Sequence, residues 1–108
     1  MEEDLSLIRL DDRKIVFANR QFEKMFGCLS GELVGNHASI LNAGSTEKSK
    51  KEKAAEILVG LESFGEWRGE NFNPKKDGTT LLCSTTVLLM EHPVFGQVAA
   101  SIHNDISG

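Results

Sequence analysis

The sequence has 108 residues, of which 40% are hydrophobic and 26% are charged, and its formal net charge is −4. This length accommodates one domain, and the composition is that of a packed globular core and not of a disordered chain. Because nucleic-acid binding relies on Lys and Arg to neutralise phosphates, the acidic balance argues against a nucleic-acid partner.

The sequence as given has no sign of a signal peptide or a membrane span, which leaves open a parent membrane receptor that carries this part in the cytoplasm. Residues 2–4 are acidic, whereas a signal peptide has a basic start and an apolar stretch. Its apolar runs are shorter than a membrane span, so we expect no direct membrane contact. Cys28 and Cys83 are isolated and form no CxxC pair, which is typical of buried thiols in a reducing compartment. These features predict a cytoplasmic protein.

The first third of the chain predicts a hairpin followed by helices. The apolar run 5–10 and the β-forming run 15–18 flank a polar turn, a pattern that favours paired strands. Asn19 is predicted to cap a helix that ends at Gly27, because glycine tolerates the left-handed end. A second short helix is predicted from Ser30 to Gly35.

The middle third predicts the longest helix. Ile40 and Leu41 are expected to anchor a single turn, and the helix then runs over residues 46–61. Its apolar positions recur at helical spacing, and they are Ala54, Ile57, Leu58 and Leu61. Lysines and glutamates lie opposite, and we interpret them as a solvated helix face.

In the last third, the hydrophobic pattern changes from helical spacing to one typical of strands. It predicts strands over 67–73, 80–90 and 97–104, the first two joined by a turn that contains Asp77-Gly78. Strands grouped apart from helices indicate an α+β domain, in which the helices cover one face of an antiparallel sheet.

Four segments together resemble a known family. They are Ile15-Val16-Phe17-Ala18-Asn19, the Phe-Gly…Glu-Leu-x-Gly of 26–35, the Trp-x-Gly-Glu…Lys-Asp-Gly-Thr of 67–79, and Asp105-Ile106-Ser107. In this order and spacing they resemble the PAS superfamily (PAS/PAC sensory box) over nearly the whole chain. Segment 35–44 is most similar to bacterial redox-sensor PAS domains of the flavin-binding type.

The resemblance implies a PAS fold, with a five-stranded antiparallel sheet in the order 2-1-5-4-3 and helices enclosing a pocket on one face. It implies that residues 1–108 are a single PAS domain excised from a larger signalling protein. The output module, a kinase, cyclase or transcription factor, would then follow outside the sequence. The expected function is ligand-dependent sensing in signal transduction, as in two-component systems and transcription regulation. The alternative is a ligand-free PAS domain that only dimerises.

Catalysis and metal binding are not expected. The sequence shows no nucleophile–base pair and no phosphate-binding glycine loop. His37, His92 and His103 have no spacing typical of metal ligands. A heme is not expected either, because helix 46–61 has no histidine to ligate iron. The sequence leaves the cofactor unassigned, with FAD as the candidate that the resemblance offers.

The candidate cofactor-binding residues are His37, Ile57, Leu58, Trp67, Asn73, Cys83, Ser101 and His103. The resemblance places His37 where light-oxygen-voltage (LOV) domains carry their reactive cysteine, so no covalent flavin–cysteine photoadduct is expected. It places Asn73 where flavin-binding PAS domains present an amide, which can both donate and accept, to the isoalloxazine edge. The structural alternatives are a capping His37, a turn-supporting Asn73, and a Trp67 that fills core volume.

Alternation along the last strand predicts its two faces. If His103 faces inward, so do Ser101 and Ala99, and these small residues leave room for a ligand. The opposite face carries the apolar residues Val98, Ala100 and Ile102. An apolar outer face needs cover, so we expect a homodimer through it.

One ion pair is also predicted. By the resemblance, Glu32 pairs with Lys75 or Lys76 and ties the short helix to the turn between the third and fourth strands. An exposed pair of this kind stabilises by at most about 1 kcal/mol.

Overall fold

The computed structural model describes residues 4–41 and 49–106, and within them the chain forms one antiparallel sheet with helices packed against it. The strands are β1 (Asp4–Arg9), β2 (Ile15–Ala18), β3 (Glu66–Pro74), β4 (Thr80–His92) and β5 (Gly96–Asp105). The helices are α1 (Arg20–Phe26), a 3-10 helix (Ala38–Leu41) and α2 (Lys50–Phe64). The five-stranded order β2-β1-β5-β4-β3 confirms the predicted α+β architecture and strand order. None of the helices in these ranges is long and apolar enough to cross a membrane.

Helix α1 begins and ends where the sequence predicts. Asn19 Oδ1 accepts from the amide of Phe22 at 2.9 Å and from the amide of Leu5 in β1 at 3.2 Å. Gly27 ends the helix in the left-handed conformation, at φ 73°. Because Asn19 bonds to both elements, this cap also fixes where α1 meets the sheet.

The helix predicted from Ser30 to Gly35 is wrong, since the structure has only turns and bends there. Gly31, at the start of the predicted helix, is left-handed (φ 77°), and a right-handed helix cannot contain it. The segment is held on α1 instead, because the buried Glu23 carboxylate accepts from the Gly31 amide at 2.6 Å.

Helix α2 confirms the long predicted helix with different ends. The described part starts at Lys50, where Ser49 caps it by accepting from an amide of the first turn at 3.2 Å. The predicted start at Thr46 lies outside the described residues. The helix continues past its predicted end to Phe64, because the left-handed residue that stops it is Gly65 (φ 75°).

The apolar core consists of two separate clusters. The first lies between α1 and the β1–β2 end of the sheet, and its buried members are Ile15, Phe22, Phe26, Leu33 and Leu41. The second joins α2 to β3, β4 and β5, and its buried members are Leu61, Trp67, Val87 and Ala99. The inner sheet face between them is therefore not filled by a continuous apolar core.

The predicted ion pair is present. Lys76 Nζ donates to Glu32 Oε2 at 2.5 Å, and the Lys76 amide donates to the Phe26 carbonyl at 3.1 Å. This pair lowers the pKa of the Glu32 carboxyl through its hydrogen bond to Lys76. Both side chains are partly exposed, so the pair positions the turn more than it stabilises the fold.

The outer sheet face differs from the prediction. Val98 and Ala100 are only 1% and 4% exposed, so their side chains are already covered within the chain. Ile102 is partly exposed. The apolar surface that this face presents to solvent comes instead from Phe17 (42% exposed) and Met90 (49% exposed).

Trp67 fixes helix α2 to strand β3. Its ring lies close to Gly60 of α2 and Gly69 of β3, and a Cβ on these glycines would lie 3.1 Å and 2.6 Å from it. Its Nε1 donates to the Glu56 carboxylate at 2.9 Å, and Lys53 Nζ lies 5.0 Å from the ring centroid. These contacts agree with the prediction that Trp67 fills core volume.

This contact predicts the effect of Gly69→Ala. The added methyl would overlap the Trp67 ring, and we expect it to lower the free energy of unfolding by about 1–3 kcal/mol. Urea denaturation measures the loss. In a Trp67→Leu background the same substitution should cost much less, because the overlapping ring is gone. Equal losses in the two backgrounds would show that Trp67 does not constrain Gly69.

Candidate functional site

A cavity of about 450 Å³ separates the two core clusters. Helix α2 supplies an apolar wall with Ala54, Ile57, Leu58 and Leu61, the residues of the predicted stripe. The inner faces of β3, β4 and β5 form the floor. This size lies within the range of about 300–1,000 Å³ that is usual for small-molecule sites.

The floor of the cavity is polar. Asn73 on β3, Thr85 on β4 and His103 on β5 are 1%, 3% and 5% exposed, and all of them line the cavity. Thr85 lies directly opposite His103 in the β4–β5 register, so their side chains are neighbours on one face. Asn71 and Ser101 extend this polar strip along β3 and β5.

Atoms of this strip lack partners in the described part of the chain. Asn73 Nδ2 donates to the Leu41 carbonyl, but Asn73 Oδ1, Thr85 Oγ1 and His103 Nδ1 are buried without a hydrogen bond there. Leaving a buried polar atom unsatisfied costs about 1–3 kcal/mol. The strip therefore provides hydrogen-bonding capacity that a bound molecule or water can use.

His103 is held in an apolar cage. The rings of Phe22 and Phe26 meet it edge-on, with centroids at 5.2 Å and 5.9 Å. This burial lowers the pKa of His103 from 6.5 to about 4. The imidazole is therefore neutral near pH 7 and offers one donor and one acceptor.

The mouth of the cavity is marked by its exposed lining residues, Arg13, His37, Ser39 and Lys51. His37 pairs with Lys14 across an isolated β-bridge, and its Nδ1 accepts from the Ser39 amide at 3.1 Å. The structure thus gives His37 the predicted capping contact and also places it at the rim of the cavity.

Most of the predicted site residues meet at this cavity, namely His37, Ile57, Leu58, Asn73, Ser101 and His103. Trp67 and Cys83 do not line it. Cys83 is fully buried beside Asp105 in the β4–β5 register, and burial raises the pKa of its thiol to about 11. Such a thiol stays protonated and is a poor nucleophile.

The sequence analysis missed four lining residues that matter for the site, which are Arg13, Lys51, Asn71 and Thr85. Alternation counted from Asn73 and along β4 would have found Asn71 and Thr85. Arg13 and Lys51 are distant in sequence, and no local pattern brings them to one opening. The described residues contain no group of three or more His, Cys, Asp or Glu side chains that could hold a metal ion.

Comparison with known proteins gives consistent results. The family model described as "PAS domain" matches residues 3–108. The human high affinity cAMP-specific and IBMX-insensitive 3',5'-cyclic phosphodiesterase 8A is 32% identical over 99 residues, which are 88% of this chain. The chain spans only 11% of the length of that phosphodiesterase.

Solved structures show the same fold. The PAS domain of a Colwellia psychrerythraea protein superposes with a TM-score of 0.83 at 19% identity, covering 97% of this chain and 86% of that one. The LOV domain of the Erythrobacter litoralis EL346 blue-light activated histidine kinase has a TM-score of 0.77 at 19% identity, covering 100% and 99% of the two chains.

The buried imidazole predicts a pH dependence of stability. Because the folded pKa of His103 lies below its value of 6.5, the unfolded chain binds a proton that the folded chain does not. His103 should therefore make the domain less stable as the pH falls from about 6.5 to about 4, by up to about 3 kcal/mol. Urea denaturation across this range measures the effect.

His103→Gln should remove this part of the pH dependence, and His37→Gln, which changes an exposed histidine, should leave it in place. An identical pH profile for wild type and His103→Gln would contradict the buried, neutral state of His103.

Proposed function

Because the chain belongs to the PAS domain family, we propose that it is the sensory module of a larger signalling protein and binds a small molecule in the cavity beneath α2. The proposal is carried by one observation. Asn73 Oδ1, Thr85 Oγ1 and His103 Nδ1 are buried at the cavity floor without partners in the described residues. A ligand that bonds to them recovers the free energy that their burial costs.

The cavity defines the chemistry of this ligand. One wall is apolar, and it suits a ring system or an alkyl body that packs against Ile57 and Leu58. The opposite edge must carry a donor for Asn73 Oδ1 and polar groups for Thr85 and His103. A heterocycle with adjacent N–H and C=O groups satisfies both demands.

A flavin is the ligand that we favour within this class. An isoalloxazine ring has an N–H between two carbonyls, and the likeness to a LOV domain supports a flavin-type site. Binding would be non-covalent, because the lining residues in the described ranges include no cysteine. Cys83 is buried on the same sheet face but outside the cavity wall.

Strand β5 is the route by which occupancy would reach an output module. It carries Ser101 and His103 at the cavity and ends at Asp105. A ligand that shifts His103 therefore acts on β5 two residues before the strand ends. The attached partner would be a kinase, cyclase, phosphodiesterase or transcription factor in a cytoplasmic protein, and the module itself would sense and not catalyse.

Ser101→Leu tests the ligand site. Ser101 is 4% exposed on the cavity floor, so the larger side chain would fill ligand space. We expect it to weaken binding of riboflavin or FAD, and retention of any co-purified chromophore, by at least about tenfold. Fluorescence titration and the absorption spectrum of freshly purified protein measure these effects.

Ser84→Leu is the matched control, because Ser84 is exposed on the outer sheet face and should tolerate leucine without loss of binding. Unchanged binding in a folded Ser101→Leu protein would contradict the assignment of the cavity as the ligand site.

A second candidate function is dimerisation through the outer sheet face. It is favoured by the exposed Phe17 and Met90 and by the partly exposed Ile102, which all lie on this face. These side chains leave apolar surface that a second copy would cover. The buried Val98 and Ala100 would support this surface from within the sheet.

Ile102→Asp should weaken self-association by about tenfold or more, because it places a charge on the apolar face that a second copy would cover. Sedimentation velocity measures the change. Leu29→Asp is the control, since Leu29 is 72% exposed in the loop after α1 and away from the sheet. Monomeric behaviour of the wild type and both variants would refute dimerisation by this domain alone.

A further inference from the structure

The described residues at the mouth of the cavity carry charge of one sign. Among the described residues that line the cavity, the only permanently charged side chains are Arg13 and Lys51, and no carboxylate lines it. The chain as a whole has 16 acidic against 12 basic residues. The charge that the described lining residues bring to the opening is therefore positive, on a protein whose net charge is negative.

Both cations are unpaired within residues 4–41 and 49–106. In the described part of the chain, Arg13 and Lys51 take part in no ion pair and no side-chain hydrogen bond, and both are exposed. Some basic residues do have carboxylate partners, as Arg9 has with Asp12 at 2.6 Å and Lys76 has with Glu32, whereas Arg20 and Lys24 resemble Arg13 and Lys51 in having none in the described part of the chain. The two positive groups at the mouth are left available for a ligand.

The backbone at Arg13 is unusual. Its φ is 58°, and among the described non-glycine residues only Arg13 has a positive φ. The conformation is held because the Arg13 carbonyl accepts from the Ala38 amide at 2.8 Å, beside the bridge between Lys14 and His37. Glycine or asparagine would adopt this conformation at lower cost, so a long basic side chain here points to a use for its charge.

The two cations lie on independent elements. Arg13 belongs to the turn between β1 and β2, and Lys51 to the first turn of α2. Both line the same cavity, because the residue 36–38 segment binds the hairpin while α2 covers the sheet. Both residues are exposed, so a group that they bind would lie at the solvent side of the cavity.

We propose that Arg13 and Lys51 form an anion subsite, and that the ligand is an organic anion whose carboxylate or phosphate occupies the mouth while its apolar or heterocyclic body fills the cavity. This inference rests on the proposed function and narrows its ligand class. The unpartnered polar atoms of Asn73, Thr85 and His103 then bind the far end of the same molecule. A cationic ligand finds no carboxylate in the described wall.

Matched pairs of probes test the subsite with the whole chain. Flavin mononucleotide and riboflavin share one ring and differ by a phosphate, and decanoate and decanamide share one alkyl body and differ by a carboxylate. The wild type should bind the charged member of at least one pair about fivefold more tightly, as expected for exposed charges. The pair that shows the preference identifies phosphate or carboxylate as the natural group.

Substitutions assign the preference to the two side chains. Arg13→Gln and Lys51→Gln should each reduce the charged-over-neutral ratio by about threefold to fivefold, and Arg13→Lys should keep most of it. The double control Arg20→Gln with Lys24→Gln removes two exposed charges of α1 and should leave the ratio unchanged. Raising the salt to about 1 M should reduce the wild-type ratio towards that of the Gln variants. Thermal melting checks that each variant is folded.

The outcomes separate this inference from the proposed function. If riboflavin or decanamide binds and neither anion binds more tightly, the anion subsite is overturned while the ligand-binding function stands. The same holds if the control changes the ratio as much as Arg13→Gln and Lys51→Gln do. If none of the four probes binds the folded wild type, the subsite is overturned and the proposed function loses support with it.

Discussion

The polar strip on the inner face of the sheet determines how the rest of the domain is built. Asn73, Thr85 and His103 occupy positions where a packed domain would place aliphatic side chains, and they are at most 5% exposed. Helices cannot pack tightly on such a surface without leaving its donors and acceptors unpaired. The core accordingly divides into a cluster under α1 and a cluster under α2, and the cavity lies between them.

The two halves of the domain hold this cavity open by different means. Under α1, Phe22 and Phe26 close against His103, and the Asn19 cap fixes the helix on β1. Under α2, Trp67 lies between two glycines and sets how closely the helix approaches β3. A smaller side chain in place of Trp67 would allow α2 to move towards the sheet and reduce the space available to a ligand.

Much of this architecture could be predicted from the sequence, because it depends on local patterns. Asn19 and Gly27 predicted the ends of α1, and the alternation of β5 placed Ser101 and His103 on the cavity side. Other features depend on long-range geometry that no local pattern contains. The opposition of Thr85 to His103 needs the β4–β5 register, and the meeting of Arg13 with Lys51 needs the docking of the hairpin beside α2. The burial of Val98, which is 1% exposed, is likewise not contained in the alternation of β5.

The central claim is that the polar strip keeps a ligand-binding cavity within the domain. A high-resolution crystal structure of the protein as purified tests this most directly. The claim predicts electron density in the cavity, from a ligand or from ordered water, within hydrogen-bonding distance of Asn73 Oδ1, Thr85 Oγ1 and His103 Nδ1. A closed cavity, in which α2 packs onto the strip and these three atoms bond only to other protein groups, would contradict it.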